Sequence, residues 1–190
     1  MKKLCWMAIV VAATTLSSWA AQDHSLTNAS FESGNFDGWQ MFGKHWRTSA
    51  NMANEKYTDA HSGTMGAVND VMPVDTDMMQ DEWRGLFQSV RAKAGKEYIA
   101  GAWIKSMNTS STESYVELQF LDKAGQVIKF VQSDFVTSDQ DFTWVVTPPT
   151  EAPQGTESAN VRGIVHMIGP VTNDPAYHIF DDFEFKRPEK

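Results

Sequence analysis

The stretch YVELQFLDKAGQVIKFVQS, residues 115–133, carries the clearest structural signal in the sequence. Polar and apolar side chains alternate along its first seven residues, and a second β-rich run begins at Val127. Between the two runs, Asp122 is a turn former and Gly125 can adopt a positive φ. The pattern predicts a β-hairpin whose first strand has two different faces, one toward a core and one toward solvent or a cleft.

Short β-rich runs bounded by Gly, Asp, Asn and Pro recur along the chain, without sustained helical periodicity. No helical crossovers are predicted, so we expect the strands to pair antiparallel in an all-β sandwich or barrel. Residues 50–83 are rich in Asn and Asp and are expected to form long loops around one short strand. The ten predicted strands are residues 26–32, 39–42, 65–68, 85–91, 97–105, 115–121, 127–133, 143–147, 159–168 and 176–185.

Composition and charge restrict the class of protein. The chain has 190 residues, of which 42% are hydrophobic and 21% charged, a balance typical of a globular domain. Its formal net charge of -8 disfavours nucleic acid and anionic membrane surfaces as partners. The one cysteine, Cys5, precedes the expected domain, so we predict no disulfide and no thiolate metal site.

The first 20 residues have the pattern of a bacterial secretory signal peptide. Lys2 and Lys3 precede a short apolar stretch, and Ser18-Trp19-Ala20 offers small residues at the two positions that a signal peptidase reads. The stretch is shorter than the ~20 apolar residues of a membrane span, with an uncleaved anchor as the alternative. We therefore predict one domain, residues 21–190, that is secreted or periplasmic and not inserted in the membrane.

Three ordered segments carry a resemblance to a known family. The first is NASFESG at residues 28–34, followed by Gly38-Trp39. The second runs from HSG at residues 61–63 through QSV and AGKEY to AWIK at residues 102–105, and the third is FDDFEF at residues 180–185. In this order the chain resembles the jelly-roll carbohydrate-binding modules related to families four, nine, sixteen and twenty-two. The resemblance implies a single jelly-roll domain that binds a polysaccharide or oligosaccharide without catalysis.

A structural calcium site follows from the same resemblance. Family members often bind one calcium through carboxylates near both ends of the domain, which here implies Glu32 and Asp181, with Asp182 as a possible substitute. Strand alternation independently predicts that Asp181 lies among apolar neighbours, where a carboxylate needs a cation or hydrogen-bond donors. The alternative is that backbone N–H groups satisfy both carboxylates without a metal. The face predicted by alternation comprises Ile179, Asp181, Phe183 and Phe185.

A sugar site needs an aromatic platform flanked by hydrogen-bonding groups. We predict that Trp46 and Trp83 are the platform candidates, because both lie in polar surroundings, with loop anchoring as the alternative. Large aromatic residues on predicted strands are expected to pack structurally, and these are Trp39, Trp103 and Trp144. The candidates for the polar rim are Tyr115, Glu117 and Gln119, which share a face, together with Arg84, Arg162 and His166.

The sequence contains no recognisable catalytic motif, and Glu113 and Glu117 do not form a convincing acid pair. We therefore predict a binding protein and not an enzyme. Two alternatives stay open: a small β-sandwich glycoside hydrolase or polysaccharide lyase, whose carboxylates need not be close in sequence, and a structural or adhesion module without glycan binding. A separate glycan-active enzyme is a further candidate partner.

Overall fold

Two antiparallel sheets form the β-sandwich that the sequence predicts. The structure is a computed structural model that describes residues 25–49, 59–73, 81–171 and 174–189. The predicted signal peptide, residues 1–20, lies outside the described residues. The strands are β1 (Gln40–Phe42), β2 (Trp46–Thr48), β3 (Ala67–Val71), β4 (Glu82–Arg91), β5 (Glu97–Met107), β6 (Thr112–Leu121), β7 (Val127–Gln132), β8 (Gln140–Val146), β9 (Thr150–Glu151), β10 (Ser158–Met167) and β11 (Ala176–Lys186).

Most neighbouring strands in the two sheets are distant in sequence. The first sheet has the order β1-β4-β10-β6-β7, and the second has the order β2-β3-β11-β5-β8, with β9 paired to β5. The hairpin of β6 and β7 forms where the sequence predicts it. Its turn is closed by the Asp122 carboxylate, which accepts hydrogen bonds from the N–H groups of Ala124 and Gln126, and Gly125 has a φ of 77°. Strand β10 lies between β4 and β6, so chain segments 37 to 85 residues apart define the centre of this sheet.

A cluster of aromatic rings fills one end of the core between the sheets. The Trp39 ring lies 4.7 Å from that of Phe183 and 5.4 Å from that of Phe31, measured between ring centroids. Phe31 is completely buried, and Trp39 and Phe183 are nearly so. Such rings contribute a large share of the apolar area that a sandwich buries. The predicted structural role of Trp39 fits this position.

The predicted strand at residues 26–32 is wrong, because this segment is a series of turns. Asn28 and Phe31 have positive φ values of 50° and 57°, which an extended strand cannot accommodate. The Phe31 N–H donates to the Asn28 carbonyl, and the Gly34 N–H donates to the Phe31 carbonyl. The short strands β2 and β9 were not predicted, since two or three residues are too few to show a period.

An irregularity in β11 overturns the predicted face of that strand. The register against β5 shifts between Asp181 and Glu184, and Asp182 has a φ of 45°. Alternation is therefore interrupted: Phe183 and Phe185 belong to the core cluster, whereas Asp181 pairs with Trp103 and points away from the core. Asp181 is nevertheless fully buried, because the segment at residues 61–62 covers it.

Candidate functional site

The face of the first sheet that points away from the core carries most of the predicted rim residues. Pairing of β4, β10 and β6 places side chains in rows across the sheet. Antiparallel partners project to the same side, so each row brings three side chains together. We call this surface the outer face. Its rows, read from β4 through β10 to β6, are Trp83–His166–Glu113, Gly85–Ile164–Tyr115, Phe87–Arg162–Glu117 and Ser89–Asn160–Gln119.

Trp83 is an open aromatic surface at one end of the outer face. Its side chain is 46% exposed, although it lies on a central strand. The indole is stacked on the His166 ring, with a centroid distance of 4.2 Å and an interplanar angle of 6°. Trp83 thus has a fixed plane and remains accessible to solvent.

Tyr115 adjoins Trp83 and is almost completely buried. The Phe135 ring covers it, with a centroid distance of 4.5 Å, and Phe135 is itself 45% exposed. Burial, reinforced by the charge of Glu117, raises the pKa of Tyr115 to about 12, whereas a hydrogen bond with Trp83 acts to lower it. The hydroxyl therefore stays protonated at neutral pH and holds the edge of the platform.

Glu117 is the centre of a polar network in the middle of the outer face. Its carboxylate accepts a short hydrogen bond from the Arg162 guanidinium and further bonds from the side-chain amides of Gln119 (2.8 Å) and Gln132 (2.9 Å). The network extends through Asn160, whose amide group approaches the Gln119 side-chain oxygen at 3.5 Å. Glu117 is 6% exposed, so these donors replace water around a buried charge.

Arg162 is also held against an aromatic ring from the edge strand. Its guanidinium carbon lies 5.1 Å from the centroid of Phe42, a cation–π contact. Phe42 reaches this position because Gly85 has no side chain: a Cβ there would lie 2.5 Å from the Phe42 ring. The guanidinium is therefore positioned by both Glu117 and Phe42.

Two predicted sugar-binding residues do not join this group. Arg84 follows Trp83 and points to the opposite side of β4, where it is fully buried and donates to Glu82 (3.0 Å) and to the Asp70 carbonyl (2.9 Å). A role for Arg84 in contacting sugar does not fit this position. Trp46 lies on β2 of the second sheet, partly buried, with its ring 6.0 Å from that of Phe180. The structure places Trp46 away from the outer face.

Two exposed aromatic residues were missed in the sequence. Phe130, on the edge strand β7, is 59% exposed and pairs with Gln119, so it extends the outer face beyond β6. Phe135 follows β7 and stacks on Tyr115. Regular hairpin pairing counted from Leu121 and Val127 would place Lys129 beside Gln119, so the sequence did not reveal Phe130, which the register shift between Phe120 and Leu121 brings there. Phe135 lies in an irregular segment, where no periodicity exists to assign its direction.

The predicted calcium ligands converge on one loop, residues 61–65. The Glu32 carboxylate accepts the N–H groups of Thr64 (2.9 Å) and Met65 (2.8 Å). The Asp181 carboxylate accepts those of His61 (2.7 Å) and Ser62 (3.0 Å), and its second oxygen accepts the Asp182 N–H (2.7 Å). Asp182 in turn contacts the His61 ring and the Ser62 hydroxyl.

These carboxylates supply the oxygen donors that calcium prefers, but their arrangement does not present an open coordination shell. Each oxygen of Asp181 already accepts an N–H, and the described residues contain no group of three or more His, Cys, Asp or Glu arranged to hold a metal ion. Burial raises the pKa of Asp181 to about 6, and the nearby Asp182 charge adds to this effect. Calcium binding here stays a prediction.

Comparisons with known proteins identify the fold. No family model and no curated protein matches the chain. Within the described residues, no helix is both long and apolar enough to cross a membrane.

Among solved structures, a family 61 carbohydrate-binding module in complex with β-1,4-galactotriose is similar over 86% of this chain and 97% of its own, with 17% identity and a TM-score of 0.57. The CBM22-1 xylan-binding domain from Paenibacillus barcinonensis Xyn10C is similar over 85% and 93%, with 18% identity and a TM-score of 0.54. The enzymatically active domain of bacteriophage CBA120 tailspike protein 4 matches 87% of this chain but 21% of its own, with 14% identity and a TM-score of 0.60.

A family 16 module is also among the matches, so the predicted resemblance to families sixteen and twenty-two is confirmed at the level of fold. The chain thus has the jelly-roll β-sandwich fold of carbohydrate-binding modules.

Proposed function

We propose that this protein binds a neutral polysaccharide or oligosaccharide without catalysis, on the outer face of its first sheet. One observation carries the proposal: Trp83 presents a solvent-accessible indole on the same face as amide and guanidinium donors from two other rows. A pyranose ring has an apolar C–H face and a rim of hydroxyl groups. The indole can stack on the C–H face, and the side chains of Arg162, Asn160 and Gln119 can hydrogen-bond to the hydroxyl groups.

The charges of the outer face favour a neutral ligand. Arg162 is neutralised by Glu117, and both nitrogens of His166 face carboxylates, those of Glu113 and Asp81. An anionic glycan would lie close to these carboxylates. Neither Arg162 nor His166 would offer it a positive charge that is not already paired with a carboxylate. The net charge of -8 acts in the same direction.

The comparisons support binding without catalysis. The family 61 and family 22 neighbours are modules whose names specify β-1,4-galactotriose and xylan. In this chain the Glu117 carboxylate accepts hydrogen bonds from three side chains, which suits a residue that positions donors on a binding surface. We further propose export from the cell, from the signal-peptide pattern of residues 1–20, and a structural calcium ion on Glu32 and Asp181, which the sequence resemblance implies.

The test is retention of the purified protein on a panel of neutral and anionic polysaccharides, including soluble xylan and β-1,4-galactan, with released sugars assayed in the same tubes. We expect retention on a neutral glycan without products. Trp83→Ala should weaken retention about tenfold or more, because the platform is removed while the strand pairing is kept.

The matched control is Trp46→Ala, which removes a tryptophan from the other sheet. We expect it to lower the melting temperature, because Trp46 packs against Phe180 and its indole N–H donates to the Phe42 carbonyl (3.2 Å), and to weaken retention less than Trp83→Ala does. Equal affinity of wild type and Trp83→Ala would refute the proposed site. Products would indicate an enzyme, and neither retention nor products would favour a structural module.

A further inference from the structure

The His166 side chain lies between the platform and two carboxylates. In the row Trp83–His166–Glu113, the His166 ring is parallel to the indole, 4.2 Å between centroids. Its Nδ1 lies 2.8 Å from a carboxylate oxygen of Glu113, and its Nε2 lies 3.3 Å from a carboxylate oxygen of Asp81. The ring is mostly buried, with 13% of its side chain exposed. It therefore has one defined orientation, which Trp83 shares through the stack.

The protonation state of this ring determines how many of these bonds exist. An ionised carboxylate accepts hydrogen bonds and does not donate them. A neutral imidazole donates from one nitrogen and accepts at the other, so it satisfies one of the two carboxylates. The imidazolium donates from both nitrogens and satisfies both. The arrangement is therefore complete with a charged ring and loses one bond when the proton leaves.

We propose that His166 is a positioning residue whose protonation fixes the plane of Trp83 and thereby makes glycan affinity depend on pH. This inference rests on the proposed function of the same face. A platform that is held in its binding orientation loses less conformational entropy when a sugar stacks on it. Histidine changes charge between about pH 5 and 8, so the effect falls in a physiological range.

The ionisable groups that face this pair come from two segments. Glu113 and Tyr115 belong to β6, and Asp81 precedes β4. Tyr115 stays protonated over this range, because its pKa is raised to about 12. The imidazolium can donate to both Glu113 and Asp81, whereas the neutral ring can donate to only one of them. Raising the pH removes the proton from His166, releases one carboxylate and loosens the stack.

The second sheet offers a matched control for the experiment. His61 stacks on Trp103, with a centroid distance of 3.8 Å and an angle of 9°, and its Nδ1 lies 2.7 Å from Asp182. This pair has the same chemistry as Trp83 and His166 but lies on the opposite side of the sandwich. His61→Phe and His166→Phe both retain an aromatic stack and lose the titrating ring. A specific role predicts different effects of the two substitutions.

The first measurement is an NMR titration of the tryptophan indole N–H signals from pH 5.5 to 8, with Trp83→Phe used to assign the Trp83 signal. We expect the Trp83 signal to follow one protonation in wild type and in His61→Phe, and to lose that titration in His166→Phe. This measurement requires no glycan. A Trp83 signal that is independent of pH in wild type would overturn the inference.

The second measurement is affinity electrophoresis in gels containing soluble xylan or β-1,4-galactan, run at pH 5.5 and pH 8. We expect wild type and His61→Phe to bind about threefold or more weakly at pH 8, the effect of losing one hydrogen bond, and His166→Phe to bind equally at both values. If His166→Phe is unfolded, His166→Gln replaces it, because glutamine keeps hydrogen bonding without titrating.

The two proposals fail in different ways. If Trp83→Ala binds like wild type, the proposed site is wrong. If Trp83→Ala loses binding while His166→Phe keeps both the affinity and the pH dependence of wild type, the site stands and the role of His166 is refuted.

Discussion

His178 gives the structure a pH dependence that can be measured without a ligand. Its ring is fully buried on β11, between the hydroxyl groups of Thr112 (2.8 Å from Nε2) and Ser106 (3.2 Å from Nδ1). Desolvation lowers the pKa of His178 to about 3, against a weaker opposing effect of the Asp139 charge. The ring is therefore neutral in the folded protein at any pH where the protein is ordinarily handled.

The sign and size of this pH dependence follow from the difference in the pKa of His178 between the folded and unfolded states. The unfolded chain binds a proton on His178 below about pH 6.5, whereas the folded protein does so only near pH 3, so this stabilisation is complete above pH 6.5 and is lost as the pH falls. At 1.36 kcal/mol per pH unit, the loss reaches about 2 kcal/mol at pH 5 and about 5 kcal/mol below pH 3.

In the protein without bound calcium, Asp181 acts in the opposite direction. Its folded pKa of about 6 lies above its ordinary value of 3.8, so its charge destabilises the fold as the pH rises from about 4 to 6. Lowering the pH from 7 to 5 therefore restores about 1 kcal/mol through Asp181. The two groups together predict that the wild type loses about 1 kcal/mol of unfolding free energy over this interval.

The assay is urea denaturation at pH 5, 6, 7 and 8, followed by tryptophan fluorescence, for wild type and His178→Gln. Glutamine can hydrogen-bond to Ser106 and Thr112 but does not titrate. The contributions of the other ionisable groups are the same in both proteins and cancel in the comparison. The change in unfolding free energy between pH 7 and pH 5 should therefore differ between the two proteins by about 2 kcal/mol. The variant should gain stability where the wild type loses it. Parallel pH profiles would refute the argument that His178 is buried as a neutral ring.

Two further predictions concern stability. Gly163→Ala should lower the unfolding free energy by about 1–3 kcal/mol, because a Cβ at this core-facing position would lie 2.8 Å from Phe183 and 2.9 Å from Phe180. Glycan retention should stay unchanged, and an unchanged urea denaturation curve would show that the two rings move aside without loss of stability. If calcium binds as the resemblance implies, EDTA should lower the melting temperature by about 5 °C or more, added Ca²⁺ should restore it, and Glu32→Gln should abolish the response. A melting temperature that is indifferent to EDTA would leave backbone N–H groups as the partners of these carboxylates.

The sequence was most informative where the period of a strand decides the direction of a side chain. Tyr115, Glu117 and Gln119 share the outer face because successive residues of β6 alternate. The same rule separates Trp83 from Arg84, which are neighbours on β4, but the predicted strand began at residue 85, so alternation was not applied to them and both remained candidates. Leu86 lies in the core, and Arg84, two residues away, must follow it.

The remaining features depend on contacts between distant segments. Strand β10 joins β4 to β6, and no local pattern encodes that Arg162 pairs with Glu117 or His166 with Trp83. The register shift in β11 between Asp181 and Glu184 was also not predicted from the sequence. One inserted residue there reverses the faces of all residues that follow. The burial of Asp181 was expected from alternation, but its position outside the core, under residues 61–62, could not be assigned before the pairing was known.

A comparison of the two tryptophan–histidine stacks supports placing the proposed sugar site on the first sheet. On the second sheet, Trp103 is partly buried, and the loop carrying His61 is fixed over it by hydrogen bonds to Asp181 and Asp182. In that stack, the His61 ring covers one face of the Trp103 indole. On the first sheet the order is reversed: the histidine is the buried partner, fixed by Glu113 from the adjacent strand, and the tryptophan is 46% exposed. Stacking that buries the histidine and leaves the indole accessible orients Trp83 without covering it, which is what a sugar platform requires.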